Sequence, residues 1–200
     1  MLKKIFGLLK KSQNIIVVVS GLPRSGTSMM MKMLAAGGLR PFTDNIRQAD
    51  DDNLKGYYEF ERVKQLETDK AWLPEAKGKV VKIISALLRH LPPEYVYKII
   101  FMQRDIQEIL ASQRQMLIRR GKYDPNVSDD ELANKFRLHL EHVGDWISRQ
   151  SNIDVIYLNY NEILQNKRKQ CIEINEFLGK KLDVEKMAKE IDYSLYRQRR

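Results

Sequence analysis

The stretch "VVVSGLPRSGTS", Val17 to Ser28, decides how the rest of the chain is read. Three consecutive valines are stiff, β-branched and apolar, and ask for a buried strand. They give way at once to Gly21, Pro23, Ser25 and Gly26, a loop whose glycines let backbone turn sharply and approach a ligand closely. Thr27 and Ser28 then open a Met-rich helical segment. Strand, glycine loop and helix in that order make an anion site, because a helix N-terminus presents N–H groups without intrahelical partners and a partial positive charge. The spacing Gly21-x4-Gly26-Thr27-Ser28 fits the nucleotide-phosphate loop frame except that Thr27 stands at the lysine position. The cation is Arg24 instead, a planar fork suited to bidentate oxyanion contacts. Ser25, Thr27 and Ser28 add hydroxyl donors. This combination predicts a loop that holds a phosphate-like group without a γ-phosphate.

Outward from the loop, apolar runs suited to buried strands recur at 14–21, 79–84, 97–103 and 154–160. Helical periodicity covers Thr27–Ala36, Asp105–Ile118, Ser128–Arg149 and Lys167–Leu178, with a last helix from Asp183. Ser128-x-x-Glu131 reads as a capping box, and Gly179 as the residue that ends its helix. Near-continuous apolar strands alternating with helices predict an α/β fold of three layers, of the P-loop type, with a mainly parallel central sheet flanked by helices. Residues 1–13 read as a basic tail and 14–200 as a single domain. The polar stretch 37–78 is too long for a plain connection and is expected to be functional.

Composition narrows the partners. The chain has 200 residues, a formal charge of +9, 43% hydrophobic and 30% charged residues, which is ordinary globular make-up. The positive charge lies in scattered clusters with no basic stripe interleaved with aromatics, so nucleic acid is not an expected partner. The opening "MLKKIFGLLKK" is too short for a secretory core, and no segment approaches a transmembrane length; a weak amphipathic membrane contact is the most it suggests. The single cysteine, Cys171, lies in an apolar-periodic helix and reads as a packing residue. Together these features predict a cytoplasmic location.

At this point three motifs resemble one family, the sulfotransferases that use 3′-phosphoadenosine 5′-phosphosulfate (PAPS). "GLPRSGTS" looks like their 5′-phosphosulfate loop, which implies cofactor contacts from Pro23, Arg24, Ser25, Gly26, Thr27 and Ser28. "FMQRDIQEILAS" has the family's strand-end arginine followed eight residues later by a serine, which implies that Arg104 and Ser112 hold the 3′-phosphate. Two helical turns return Ser112 to the face on which its helix begins. "VIYLNYNEILQNKRKQCIEINEFLGKKL" is similar to the family's strand, Tyr-x-Glu turn and helix, which implies that Tyr160 meets the adenine. The resemblance further implies PAPS as donor, the desulfated product PAP, a small-molecule or glycan or peptide hydroxyl (or an amine) as acceptor, and no required metal.

Departures from the family pattern leave choices open. Met29 stands where cytosolic members stack a tryptophan on adenine, and Ile84 where many carry the catalytic histidine two residues after a lysine, here Lys82. Arg197, in the C-terminal "YSLYRQRR", is the candidate for a further phosphate contact. The expected catalytic residues are Arg24, Lys82 and, by resemblance to family branches whose base is a glutamate in a Gly-x-x-Glu context, Glu59 in Gly56-x-x-Glu59, with Asp44, Glu61 and His90 as the other candidates for the base. Two further readings compete: a non-catalytic nucleotide-binding module, and a magnesium-dependent nucleotide kinase. The kinase would need a metal-holding acid at a strand end, for which only Asp105 offers itself.

Overall fold

The computed structural model describes residues 15–44, 46, 58–179 and 181–191. Its centre is a four-stranded, all-parallel sheet in the order β2-β1-β3-β4, formed by β1 (Ile15–Gly21), β2 (Val80–Lys82), β3 (Val96–Gln103) and β4 (Ile153–Asn159). Alternation along each strand divides the core in two. Val17, Val19, Ile100 and Met102 point to one face, covered by α1 (Thr27–Ala36), α5 (Tyr160–Gln165), α6 (Lys167–Leu178) and α7 (Val184–Lys189). Ile16, Val18, Ile99 and Phe101 point to the other, where Trp72, Leu73 of α2 (Leu73–Ala76), Leu88 and the Ile147 end of α4 (Asp129–Ser148) close over them. The three layers expected from the apolar runs are therefore present. Among the described residues, no helix is long and apolar enough to cross a membrane.

The sheet also explains where ligands can sit. All four strands run the same way, so their carboxyl ends gather Gly21, Lys82, Gln103 and Asn159 along one edge of the domain. From there β1 enters α1 through the glycine loop, and β3 enters α3 (Ile106–Arg119) through Arg104 and Asp105. Asp105 caps α3 by accepting the N–H groups of Gln107 (2.8 Å) and Glu108 (3.3 Å). Asn159 caps α5 in the same way, and Ser128 caps α4 by accepting Glu131 N–H at 3.5 Å.

Two boundaries differ from the apolar runs. The run over 79–84 yields only three strand residues, because beyond Ile83 the chain leaves the sheet into a 3-10 turn over Ser85–His90. The other difference is that the 154–160 run stops one residue early. Asn159 turns the chain, so Tyr160 starts a helix instead of ending a strand. Within 37–78, the described part holds a 3-10 turn at Glu61–Gln65 and the short α2. Its beginning runs beside β2, with Phe42 N–H donating to Val80 O (2.7 Å) and Val80 N–H to Arg40 O (3.0 Å).

Leu34 is fully buried between α1 and the sheet, whereas Leu138 on α4 is 56% exposed. Leu34→Ala should cost about 2–5 kcal/mol, since it leaves a cavity in a packed core. Leu138→Ala should stay within about 0.5 kcal/mol. Urea unfolding of both variants checks the assignment of faces.

Candidate functional site

The loop after β1 is shaped by backbone that only its own residues tolerate. Gly26 has φ +101°, and a Cβ there would lie 2.5 Å from the Tyr160 ring. Arg24, a non-glycine residue, is left-handed at φ +74°. The first helical bond of α1 runs from Met30 N–H to Gly26 O (3.1 Å), so the N–H groups of 27–29 have no intrahelical acceptor. Ser25 Oγ is buried and has no hydrogen-bond partner among the described residues. A buried hydroxyl of this kind costs free energy unless something accepts or donates to it. A phosphate-like group seated on the loop would supply that partner, so the residues present fit such a ligand.

Two clusters flank the loop. On the β2 side, Lys82 Nζ lies 3.4 Å from Ser28 Oγ and 3.2 Å from Glu59 Oε1, with Lys82 almost wholly buried. On the β3 side, Arg24 Nε donates to Ser112 Oγ at 3.0 Å. Arg104 Nε donates to Glu108 Oε2 (2.8 Å), its Nη1 donates to the Arg24 carbonyl (3.2 Å), and its guanidinium lies 4.5 Å from the Tyr160 ring centre. Glu108 also accepts from Asn161 Nδ2 at 3.3 Å. The family pattern implies that Arg24 serves the sulfuryl end and Ser112 the 3′-phosphate end; here their side chains touch and link the two ends through the loop.

The remaining predicted residues fall as follows. Tyr160 is buried, packed on Gly26 and beneath Arg104, so it supports both of them. Pro23 is exposed at the loop tip. Asp44 is engaged by backbone: its Oδ2 accepts Glu61 N–H (2.6 Å) and its Oδ1 accepts Ile46 N–H (3.1 Å). Glu61 pairs with Lys64 at 2.6 Å, and His90 Nε2 accepts from Arg89 at 3.2 Å. The helix-capping carboxylate of Asp105 is turned to backbone N–H groups. Arg197 and Gly56 lie outside the described residues. Glu108 and Asn161 were not anticipated. Glu108 had a readable signal, an acid four residues after Arg104 where ion pairs form on a helix face; Asn161 had none.

Among the described residues, no group of three His, Cys, Asp or Glu side chains could hold a metal ion. Cys171 is fully buried, and burial pushes its thiol up to about 11. Beside the loop, a cavity of about 310 Å³ is lined mainly by apolar side chains, among them Leu22, Phe101, Ile109 and Leu140, together with Ser25 and Arg104. Its walls come from the loop after β1, from β3, α3 and α4; among the described residues, none of 37–78 lines it.

Residues 15–200 match the sulfotransferase domain family, and the chain belongs to it. It is 21% identical to bovine (Bos taurus) sulfotransferase 1E1 over 91% of this chain and 65% of that protein. It is 26% identical to mouse (Mus musculus) sulfotransferase 2B1 over 50% of this chain and 31% of that protein. The chain thus spans less than two-thirds of the length of either relative. The solved sulfotransferase domain from the curacin biosynthetic pathway aligns with a TM-score of 0.52 at 12% identity, over 88% of this chain and 77% of that one, which is a likeness of fold.

The Arg104–Glu108 pair is buried on both sides, with side-chain exposures of 8% and 4%. Removing one partner leaves an uncompensated buried charge. Arg104→Ala should therefore destabilise the protein by about 3–5 kcal/mol, and adding Glu108→Leu should restore much of that loss. Denaturant unfolding of the single and double variants measures both effects. Binding data on Arg104→Ala have to be read beside them.

Proposed function

We propose that the chain is an enzyme that transfers the sulfuryl group of PAPS to a hydroxyl or amine acceptor and releases PAP. The observation that carries this reading is the meeting of Lys82, Ser28 and Glu59 on one side of an anion loop whose other side holds Arg104 and Ser112. Two separated anion sites around one loop suit a nucleotide phosphorylated at both its 3′ and 5′ positions. When bound, PAPS supplies an activated sulfuryl group. The acceptor's oxygen or nitrogen bonds to sulfur while the bond from sulfur to the 5′-phosphate oxygen breaks, and the acceptor loses a proton.

This chain's residues divide that work. The loop N–H groups, Ser25, Thr27 and Arg24 bind the 5′-phosphate. Lys82 and Ser28 donate to the oxygen that gains charge as the leaving bond opens, where preorganised donors are worth most. Glu59 receives the acceptor's proton. Arg104 and Ser112 hold the remote 3′-phosphate, with Arg197 a further candidate contact. The acceptor is a small molecule or a glycan or peptide hydroxyl, with neither nucleic acid nor a metal ion taking part. The single buried cysteine suits a cytoplasmic setting.

One observation favours a second reading. Ile84 occupies the place of the family's catalytic histidine and is 42% exposed, which suits a module that binds the nucleotide without transferring from it. A transfer assay with radiolabelled PAPS over a panel of phenols, alcohols, amines and sugars separates the two readings. Product formation supports the enzyme; tight PAP binding with no product on any acceptor supports the module.

PAP should bind at micromolar affinity, roughly −8 kcal/mol, and magnesium-ATP much more weakly. Equal or tighter magnesium-ATP binding by calorimetry would sink the PAPS assignment and revive the kinase. Glu59→Gln should lower kcat by about 10²-fold or more with PAP affinity kept, and Lys82→Ala should depress kcat by more than about tenfold. Near-wild-type turnover in Glu59→Gln would remove Glu59 as the base.

A further inference from the structure

The backbone that carries Glu59 is not at rest by itself. Tyr58, the preceding residue, has φ +51°, left-handed backbone that a bulky non-glycine residue adopts only when its surroundings impose it. The stretch 39–44 holds the backbone just beyond Tyr58. Its backbone bonds to Val80 fasten it along β2, the strand that ends in Lys82. From that platform Thr43 Oγ1 donates to the Glu59 carbonyl at 2.7 Å. Asp44 Oδ2 accepts the N–H of Glu61 at 2.6 Å, while its Oδ1 holds Ile46 N–H at 3.1 Å. Phe42 adds an aromatic anchor, its ring 4.7 Å from Phe60 and 5.8 Å from Trp72. Glu59 is thus gripped at its own carbonyl and two residues later, by groups tied to the strand that presents Lys82.

We infer that Thr43 and Asp44 are positioning residues that hold the Glu59 carboxylate against Lys82, an inference that rests on the proposal of Glu59 as the base. Both act on backbone, so their effect passes through geometry and not through charge delivered to the acceptor. Asp44, which competes with Glu59 for the base role on sequence grounds, thereby takes a different one. Both of its oxygens are already occupied by amide donors.

The test uses Thr43→Val, Thr43→Ser and Asp44→Ala, each made in the wild-type chain and in Glu59→Gln. A displacement of about 1 Å from productive geometry costs on the order of 10²-fold in rate. Thr43→Val and Asp44→Ala should therefore lower kcat by tenfold to a hundredfold, with KM for PAPS and calorimetric PAP affinity little changed. Thr43→Ser, which keeps the hydroxyl, should recover most of the loss. In the Glu59→Gln background neither substitution should cost anything further. Equal losses in both backgrounds, unchanged kcat, or a parallel collapse of PAP affinity would each overturn the inference. Should the wild-type protein transfer no sulfuryl group to any acceptor, the base assignment fails, and the placement itself is read without activity. A water-soluble carbodiimide should couple the Glu59 carboxylate to the Lys82 amine, detected by peptide mass spectrometry. Thr43→Val and Asp44→Ala should lose that cross-link; wild-type yields in both would overturn the positioning role.

Discussion

Arg104 sits where three parts of the chain meet. Its guanidinium bonds Glu108 on α3 and the carbonyl of Arg24 in the loop, and lies over the ring of Tyr160 at the start of α5. A charge buried this deeply persists only while its partners are in place, so each of these elements depends on the others being correctly set. Apolar side chains of similar volume would fill the same space at no greater cost. They could not orient a loop carbonyl, however, and that carbonyl belongs to Arg24, whose left-handed backbone sets the direction of the loop. Tyr160 completes the arrangement by lying so close to Gly26 that no side chain fits there. The anion loop is held in shape from beneath by one ion pair and one ring.

The site is not a simple funnel of positive charge. Two of its cations are matched by carboxylates, Arg104 by Glu108 and Lys82 by Glu59, while Arg24 donates to the Ser112 hydroxyl. The formal charge of +9 is carried mostly elsewhere on the chain. An anion seated at the loop would meet aimed donors, the helix N–H groups and the hydroxyls of Ser25, Thr27 and Ser28, beside Arg24. Such donors distinguish the shape of a ligand as well as its sign.

How much of this was legible in the sequence depends on the range of the forces involved. The loop could be read because its chemistry is local: glycines, hydroxyls and an arginine within eight residues of a strand. The helix over Lys167–Leu178 could be read for a similar reason, since Gly179 adopts the left-handed φ of +61° that closes a helix. The end of β2 could not. Ile83 and Ile84 continue the apolar run, yet Ile84 is exposed, and periodicity carries no signal for the point at which backbone leaves a sheet. Pairings were hidden for another reason. Arg24 and Ser112 are 88 residues apart, Glu108 and Asn161 53, Lys82 and Glu59 23, and only the folded sheet brings them together. Glu59 was singled out by resemblance to the family, and its contact with Lys82 carried no signal in the sequence.

The strip of chain beside β2 has an effect on the outside of the molecule as well. Phe42 and Arg40 spend their backbone groups on Val80, so the residue between them, Pro41, directs its backbone away from the sheet. That is the position at which a further strand would look for an amide hydrogen, and proline has none. Among the described residues, this border of the sheet carries at Pro41 a residue that cannot donate to a further strand. A strand laid along this border would lack one amide donor at its middle, which weakens pairing there.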